Sequence, residues 1–313
     1  MFYYLILAAT ALAATAQSIF KQIFNEKCAK RSAYFFSAMT AFTAMLFFIL
    51  INVFYSKDWY YNAELLLPSA AFAISYAASS VFSVLAIFYG PLAKSSLVIS
   101  YSLLIPSLYG IFVQGIYIKV IRDGTATLSE AMKEALSPTL IIGTLLLIAA
   151  LFLVNYEKKE KDAEEKKITL KWLLYVILAF VGNGLCSTVQ TAKQDFYGPE
   201  GSNVFMIVAL AIVVLLLVSA ALGFKNQRVA VKDTAAKGWS PAVFGGIANG
   251  VMNFFVLLLT ANKFPASVLY PVVSGGSLLM IFLWSFLVKK ERFTASQYVG
   301  YALGVASLVL LNI

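Results

Sequence analysis

Apolar runs of about twenty residues recur along the whole chain and are separated by short polar breaks. A bilayer core about 30 Å thick is crossed by about 20 apolar residues at a rise of about 1.5 Å each, so such runs are long enough to span a membrane. The pattern predicts an all-α integral membrane protein with ten transmembrane helices. Their predicted positions are residues 2–22, 33–55, 65–88, 94–118, 138–155, 172–193, 204–223, 241–262, 267–288 and 298–313.

The two halves of the chain resemble each other. The segment that begins at Ile141, IIGTLLLIAALFLVN, aligns with the one that begins at Tyr298, YVGYALGVASLVLLN. The Lys-Gln step at Lys21, near the end of the first span, has a counterpart at Lys193, near the end of the sixth. Such matches are typical of an internal repeat, although a shared bias toward Leu, Ala and Val is an alternative explanation.

The repeat divides the chain into three predicted parts. Residues 1–155 form a first five-helix repeat, residues 156–171 a polar linker and residues 172–313 a second five-helix repeat. Five is an odd number, so the second repeat is expected to lie upside down in the membrane relative to the first. The first half carries an extra stretch near residues 123–137, which we predict to be a short surface helix.

Composition excludes a soluble globular protein. Of 313 residues, 61% are hydrophobic and 12% are charged, against about 45–50% and about 25% in ordinary soluble domains. The net charge of +9 does not indicate nucleic acid, because the basic residues lie almost entirely between the apolar runs. The first twenty residues contain small residues typical of a signal peptide, but no cation precedes Phe2, so we interpret them as the first span.

The distribution of cations predicts the orientation. Eighteen Lys and Arg residues follow the odd-numbered spans and six follow the even-numbered ones. Because cytoplasmic loops are enriched in Lys and Arg, the first group is expected to face the cytoplasm and both termini to face outward. We expect a multi-pass protein of the plasma membrane, namely the bacterial inner membrane.

Polar side chains within the predicted spans are the candidate functional residues, because in a bundle they tend to face the interior or a cavity. Asn249 and Asn253 stand four positions apart and therefore share a helix face. Each amide either lines a substrate cavity or joins helices by hydrogen bonds. The predicted substrate-binding set is Gln17, Tyr76, Ser80, Tyr101, Asn183, Gln190, Asn249, Asn253, Tyr270 and Ser274.

Lys21 and Lys193 are candidate anion contacts at opposite mouths of the path. The alternative is that both reach the aqueous interface and bury only their methylenes. No Asp or Glu falls inside a predicted span and the chain has no His, which favours an exchanger or facilitator over a proton-driven pump. The two cysteines have no metal-ligand spacing, so we predict no metal and no cofactor.

The C-terminal segment from Tyr270, YPVVSGGSLLMIFLWSFLVKKERFTASQYVGYALGVASLVLL, resembles the last two spans of the EamA-like family of the drug/metabolite transporter superfamily. The positions that carry the resemblance are Pro271, Ser274, Gly275, Gly276, Glu291, Gly300 and Gly304. The first half matches less well, because its acidic residue is displaced to Glu130 or Glu134. The resemblance implies transport of amino acids, nucleotide sugars, sugar phosphates, small metabolites or drugs. Some members keep both termini in the cytoplasm, contrary to the cation distribution here.

These observations predict a secondary transporter that moves a small polar organic solute across the bilayer by alternating access. Its partners would be that solute and lipid, with no nucleic acid, and the sequence leaves its oligomeric state open. A non-transporting receptor or partner subunit is the alternative. A membrane-embedded enzyme is disfavoured, because the chain lacks nucleophile-and-base pairs, metal ligands and glycine-rich phosphate loops.

Overall fold

The computed structural model describes residues 2–28, 32–89, 95, 98–99, 101–135, 137–154, 169–288 and 294–310. Helices account for nearly all of these residues and no strand occurs among them. The helices are α1 (Phe2–Lys27), α2 (Ala33–Ile51), α3 (Leu66–Tyr89), α4 (Leu104–Tyr109), α5 (Leu128–Ala135), α6 (Pro138–Val154), α7 (Leu170–Tyr197), α8 (Ser202–Gly223), α9 (Lys225–Ala261), α10 (Ala266–Leu287) and α11 (Ala295–Leu310).

Two segments are wound as π-helices. Asn52–Ser56 continues α2, and Gly110–Arg122 continues α4 for thirteen residues. Short 3₁₀ turns at Ala63–Leu65 and Tyr101–Leu103 precede α3 and α4. π-helical turns are rare and concentrate at functional sites, so the thirteen-residue π-helix after α4 indicates a candidate functional region.

Eight stretches of the described chain are long and apolar enough to cross a membrane. They run over Tyr3–Lys27, Ala33–Ser56, Ala63–Ala86, Tyr101–Arg122, Leu128–Ala150, Leu170–Tyr197, Ser202–Gly223 and Lys225–Ala261. The chain therefore has the helices of an integral membrane protein, as its sequence predicts. Of the predicted linker over residues 156–171, residues 156–168 lie outside the described residues, and residues 169–171 form the cap and the start of α7.

Several helix ends follow familiar capping chemistry. The Ser32 hydroxyl accepts a hydrogen bond from the Phe35 amide at the start of α2, and Thr169 does the same for Trp172 at the start of α7. The predicted surface helix is present as α5, where Thr127 and Glu130 form a reciprocal capping box. These caps satisfy amides that have no partner within their own helix.

Five helix contacts between the two halves of the sequence organise the bundle. Helix α1 packs on α9 and α3 packs on α7, while α2 packs on both α8 and α9, and α6 packs on α11. Helix α7 also touches α4, and α10 touches both α1 and α4. The largest apolar cluster lies where α2, α3 and α8 meet, with Phe48, Phe72 and Phe205 fully buried.

Glycines allow two of these contacts to be close. A Cβ atom on Gly182 of α7 would lie 2.8 Å from the Ser79 amide nitrogen of α3. One on Gly246 of α9 would lie 2.6 Å from the Thr40 carbonyl oxygen of α2. Small residues at helix interfaces let backbones approach within a membrane, so these glycines set the distance between the helices.

Several helices extend beyond the spans predicted from hydropathy, and α7 and α9 are two of them. Helix α9 begins at Lys225, sixteen residues before the predicted start at 241, because its first four turns are polar yet continuously helical. Helix α7 ends at Tyr197 rather than at 193. The second difference matters for function, because it places Asp195 in the last turn of a candidate span.

Candidate functional site

A cavity of about 360 Å³ lies at one end of the bundle. It is enclosed by the last turn of α7, the π-helix after α4 and the connection between α9 and α10. Its volume falls in the range of about 300–1,000 Å³ that is usual for sites binding small organic molecules. The polar and charged residues that line it are Gln114, Lys119, Arg122, Asp123, Thr125, Gln194, Asp195, Thr260, Lys263 and Ser267.

The carboxylate of Asp195 is the central polar group of this cavity. The Tyr109 hydroxyl donates to its Oδ2 at 2.9 Å, and the Gln114 amide nitrogen donates to both oxygens, at 2.9 and 3.2 Å. The Gln114 oxygen in turn accepts from the backbone amide of Ala266 at 3.0 Å. The end of α4, the π-helical segment and the start of α10 therefore position the neutral donors that hold Asp195.

Two cations approach Asp195 without pairing with its carboxylate. Arg122 donates to the Asp195 backbone carbonyl at 2.8 Å, and its guanidinium forms an ion pair with Asp123 at 2.7 Å. The hydrogen bond and positive charge of Arg122 hold the pKa of Asp123 below its usual value, with a smaller contribution from Lys263. Lys263 also lies within electrostatic range of Asp195.

Next to Asp195, Gln194 presents an unused acceptor. Its amide nitrogen donates to the Ser202 hydroxyl at 2.9 Å, but its buried Oε1 has no hydrogen-bond partner among the described residues. An unpaired polar atom in a buried setting costs about 1–3 kcal/mol. Gln194 lines the cavity, but this oxygen has almost no accessible surface, so it lies behind the cavity wall.

Lys193 fastens the loop that follows α7. Its fully buried ammonium donates to the carbonyls of Gly198 and Glu200, each at 2.7 Å, and to Ser202 at 3.0 Å. The loop bends through left-handed φ at Gly198 and Gly201. All three ammonium hydrogens thus have protein partners, so Lys193 caps this loop in the structure, although the sequence made it a candidate anion contact.

Gln190, Asn249 and Asn253 form a buried chain of amides deeper in the bundle. Gln190 of α7 donates to the Asn253 oxygen at 2.7 Å. The Asn253 nitrogen donates to the carbonyl and side-chain oxygens of Asn249, at 2.8 and 3.1 Å. All three side chains are more than nine-tenths buried. They join α7 to α9 and do not line the 360 Å³ cavity.

Tyr270 of α10 makes a second polar contact with α7. Its hydroxyl donates to the Ser187 carbonyl at 2.8 Å and lies 2.9 Å from the Thr191 hydroxyl. Asn183, two turns earlier on α7, donates to Ser102 at 2.6 Å and accepts from Ser79 at 3.4 Å. These bonds connect α7 to α10, to the turn before α4 and to α3.

The other predicted residues are placed as follows. Tyr76 is buried on α3, and Ser80 lies four positions further along the same helix. Tyr101 donates to the Ile148 carbonyl at 2.9 Å. With Ser274 it lines a crevice of only about 10 Å³, room for a single water.

Gln17 and Lys21 lie four positions apart on α1 and are half-buried. Neither side chain hydrogen-bonds to another described residue. Lys21 therefore differs from Lys193, its sequence counterpart, in having no fixed role in a loop. Of the twelve predicted site residues, none lines the 360 Å³ cavity.

A continuous polar face of α7 connects these groups to the cavity. Ser187, Gln190, Thr191 and Gln194 follow Asn183 by four, seven, eight and eleven positions, so all five lie on one side of the helix. The face runs from the Asn183 contact to the cavity wall beside Asp195. Sequence reasoning located most of this face but ended the span at 193 and so missed its terminus. The Gly-Pro pair at 198–199 was the available signal for a later helix end.

The cavity does not have the composition of a metal site. Among the described residues, no group of three or more His, Cys, Asp and Glu side chains could hold a metal ion. The arrangement instead offers a carboxylate, neutral donors and acceptors, and flanking cations, a set suited to a polar organic solute.

Comparison with known proteins adds a likeness of fold. No protein-family model and no curated protein sequence matches the chain. A solved structure described only as "Crystal structure of protein" superposes with a TM-score of 0.58 at 13% sequence identity, covering 98% of this chain and 95% of that one. At this identity the likeness concerns the fold alone.

Proposed function

We propose that the chain is a secondary transporter that moves a small polar organic metabolite across the plasma membrane by alternating access, as an exchanger or facilitator. The observation that carries the proposal is the 360 Å³ polar cavity at one end of a bundle of membrane-length helices. A carrier that alternates its access needs such a cavity on one side and a seal toward the other. The amides of Gln190, Asn249 and Asn253 supply the seal.

The pairing of helices supports ten spans arranged as two inverted repeats. If α1, α2 and α3 correspond to α7, α8 and α9, then the contact of α1 with α9 corresponds to the contact of α7 with α3. Under the same correspondence of helices, the contact of α2 with α8 is its own counterpart, and so is the contact of α6 with α11. This is the pattern that a two-fold axis in the membrane plane would produce, and it agrees with the EamA-like resemblance.

A receptor or partner subunit that transports nothing is the second candidate. One observation favours it. The amides of Gln190, Asn249 and Asn253 hydrogen-bond to one another and do not line a path across the bundle. The two candidates differ in what a solute does after binding. A transporter releases it on the other side, whereas a receptor does not.

Reconstitution tests the proposal. The purified chain would first be screened for thermal stabilisation by amino acids, sugars, nucleosides and phosphorylated metabolites, because a ligand that binds the folded state stabilises it. Proteoliposomes loaded with any ligand found would then be assayed for saturable counterflow of the labelled ligand. Counterflow lost in Asn249→Ala/Asn253→Ala, with the ligand still stabilising that variant, supports transport. Binding without counterflow in the wild type would support the receptor.

A further inference from the structure

The carboxylate of Asp195 has an incomplete set of partners for a half-buried charge. A carboxylate offers about four lone-pair sites. The two donors present, Tyr109 and Gln114, are both neutral, and Oδ1 receives only the longer contact of 3.2 Å. No ion pair to Asp195 occurs among the described residues. Charges taken from water are normally paired, so this group lacks the cation that would complete its surroundings.

The protein's own cations are otherwise engaged or held apart. Arg122 binds Asp123 through two nitrogens, at 2.7 and 3.1 Å, and reaches Asp195 only at its backbone. Lys263 belongs to an exposed turn with left-handed φ, where it influences Asp195 electrostatically without pairing. The Asp195 carboxylate therefore has no ion pair with a described residue, and Asp195 lines the cavity.

The chemistry of the missing partner follows from the carboxylate. The Asp195 carboxylate lines the cavity, is held by neutral donors and has no cation against it in the described part of the chain. It therefore matches a group that carries N–H donors and a positive charge. A protonated amine has this composition, whereas a hydroxyl has one donor and no charge.

We propose that the cavity binds organic solutes through a protonated amine, which contacts the Asp195 carboxylate. The inference rests on the proposed function in taking this cavity as the solute site. It restricts the solute to amines and assigns the residue that recognises the nitrogen. Lys119 and Lys263 at the cavity wall make an accompanying anionic group on the solute acceptable.

The test is equilibrium binding to the purified full-length chain in detergent, measured by calorimetry. The probes are pairs that share a carbon skeleton and differ in the nitrogen: 2-phenylethylamine and 2-phenylethanol, alanine and lactate, cadaverine and 1,5-pentanediol. At least one amine is expected to bind at least about tenfold more tightly than its alcohol, because hydrogen bonds to charged groups contribute more than neutral ones. Equal affinities within every pair, or no amine binding at all, would overturn the inference.

Two carboxamide variants separate recognition from general charge. Asp195→Asn preserves the shape and is expected to weaken amine binding about tenfold to a hundredfold without changing alcohol binding. Asp123→Asn removes the same charge from the same cavity and is expected to change amine binding less than about threefold. A loss of equal size in both variants would show that the potential of the cavity, and not contact with Asp195, governs affinity. Thermal melts of both variants check that each is folded.

The inference and the proposed function fail in different ways. Amines that bind through Asp195 but show no counterflow in proteoliposomes would refute transport and leave the amine site standing. The opposite result is counterflow of a sugar or phosphorylated solute when no amine binds the protein or competes with that solute. It would refute the amine site and leave transport standing.

Discussion

Replacing Gly182 by alanine tests the contact between α3 and α7 on which the candidate site depends. The added Cβ would lie 2.8 Å from the Ser79 amide nitrogen and 2.9 Å from the Ser75 carbonyl oxygen, where ordinary contact begins at 3.4 Å. Both atoms belong to the α3 backbone, so no side-chain rotation relieves the overlap. The two helices must separate by several tenths of an ångström.

The magnitude follows by comparison with a matched glycine. Overpacking of a well-packed interior costs about 1–3 kcal/mol, while alanine gains about 1 kcal/mol over glycine in helix propensity. Gly223, the last residue of α8, would carry a Cβ with nothing within 4 Å. Comparison with Gly223→Ala roughly removes the gain in helix propensity. The free energy of unfolding of Gly182→Ala is therefore expected to be about 1–3 kcal/mol lower than that of Gly223→Ala.

The free energy of unfolding would be measured by titrating the detergent-solubilised protein with sodium dodecyl sulfate, with helicity and tryptophan fluorescence as probes. Both variants and the wild type are compared under one condition. A difference between the two variants smaller than about 0.5 kcal/mol would refute the close approach of α3 and α7, because overpacking at a backbone contact cannot be that cheap.

Three further predictions concern the amides, the lysines and the cavity. A double-mutant cycle on Gln190→Ala and Asn253→Ala should give a coupling free energy of about 0.6–2 kcal/mol in the same titration, and additive effects would contradict their hydrogen bond. Lys193→Met should accelerate proteolysis of the α7–α8 loop while Lys21→Met leaves it unchanged; equal rates would show that the ammonium does not fasten the loop. In a background without native cysteines, Ser267→Cys should react with a membrane-impermeant maleimide added outside intact cells and Asn253→Cys should not. Labelling only of inverted vesicles would instead place the cavity on the cytoplasmic side.

The sequence predicted the apolar helices well because membrane burial imposes a long and simple pattern. Ser202–Gly223 matches its predicted span within two residues at each end of the run. Hydropathy was less informative where a helix leaves the membrane, since a polar helix and a polar loop have similar compositions. For this reason the first sixteen residues of α9 were predicted as a loop, and Asp195 was placed just outside a span.

The candidate site was predictable only in part. Asn183, Gln190 and Asn253 were expected in the interior because polar groups avoid lipid. Gln190 and Asn253 are buried, and Asn183 is half-buried and hydrogen-bonds to Ser79 and Ser102. Their hydrogen-bond partners depend on which helices meet and on how each helix is rotated about its axis. The local pattern of a single sequence does not contain this information. Lys21 and Lys193 illustrate the limit, because equivalent sequence positions have different surroundings in the structure.

The amide chain of Gln190, Asn249 and Asn253 has a consequence for how a path through the bundle would open. Two of its bonds join side chains, and α7 and α9 remain fully helical around them. Turning these side chains toward an entering molecule therefore requires no unwinding of the main chain. Each amide group can replace a hydrogen bond to its neighbour with one to an oxygen or nitrogen of the entering molecule. The number of hydrogen bonds is therefore the same before and after the molecule passes.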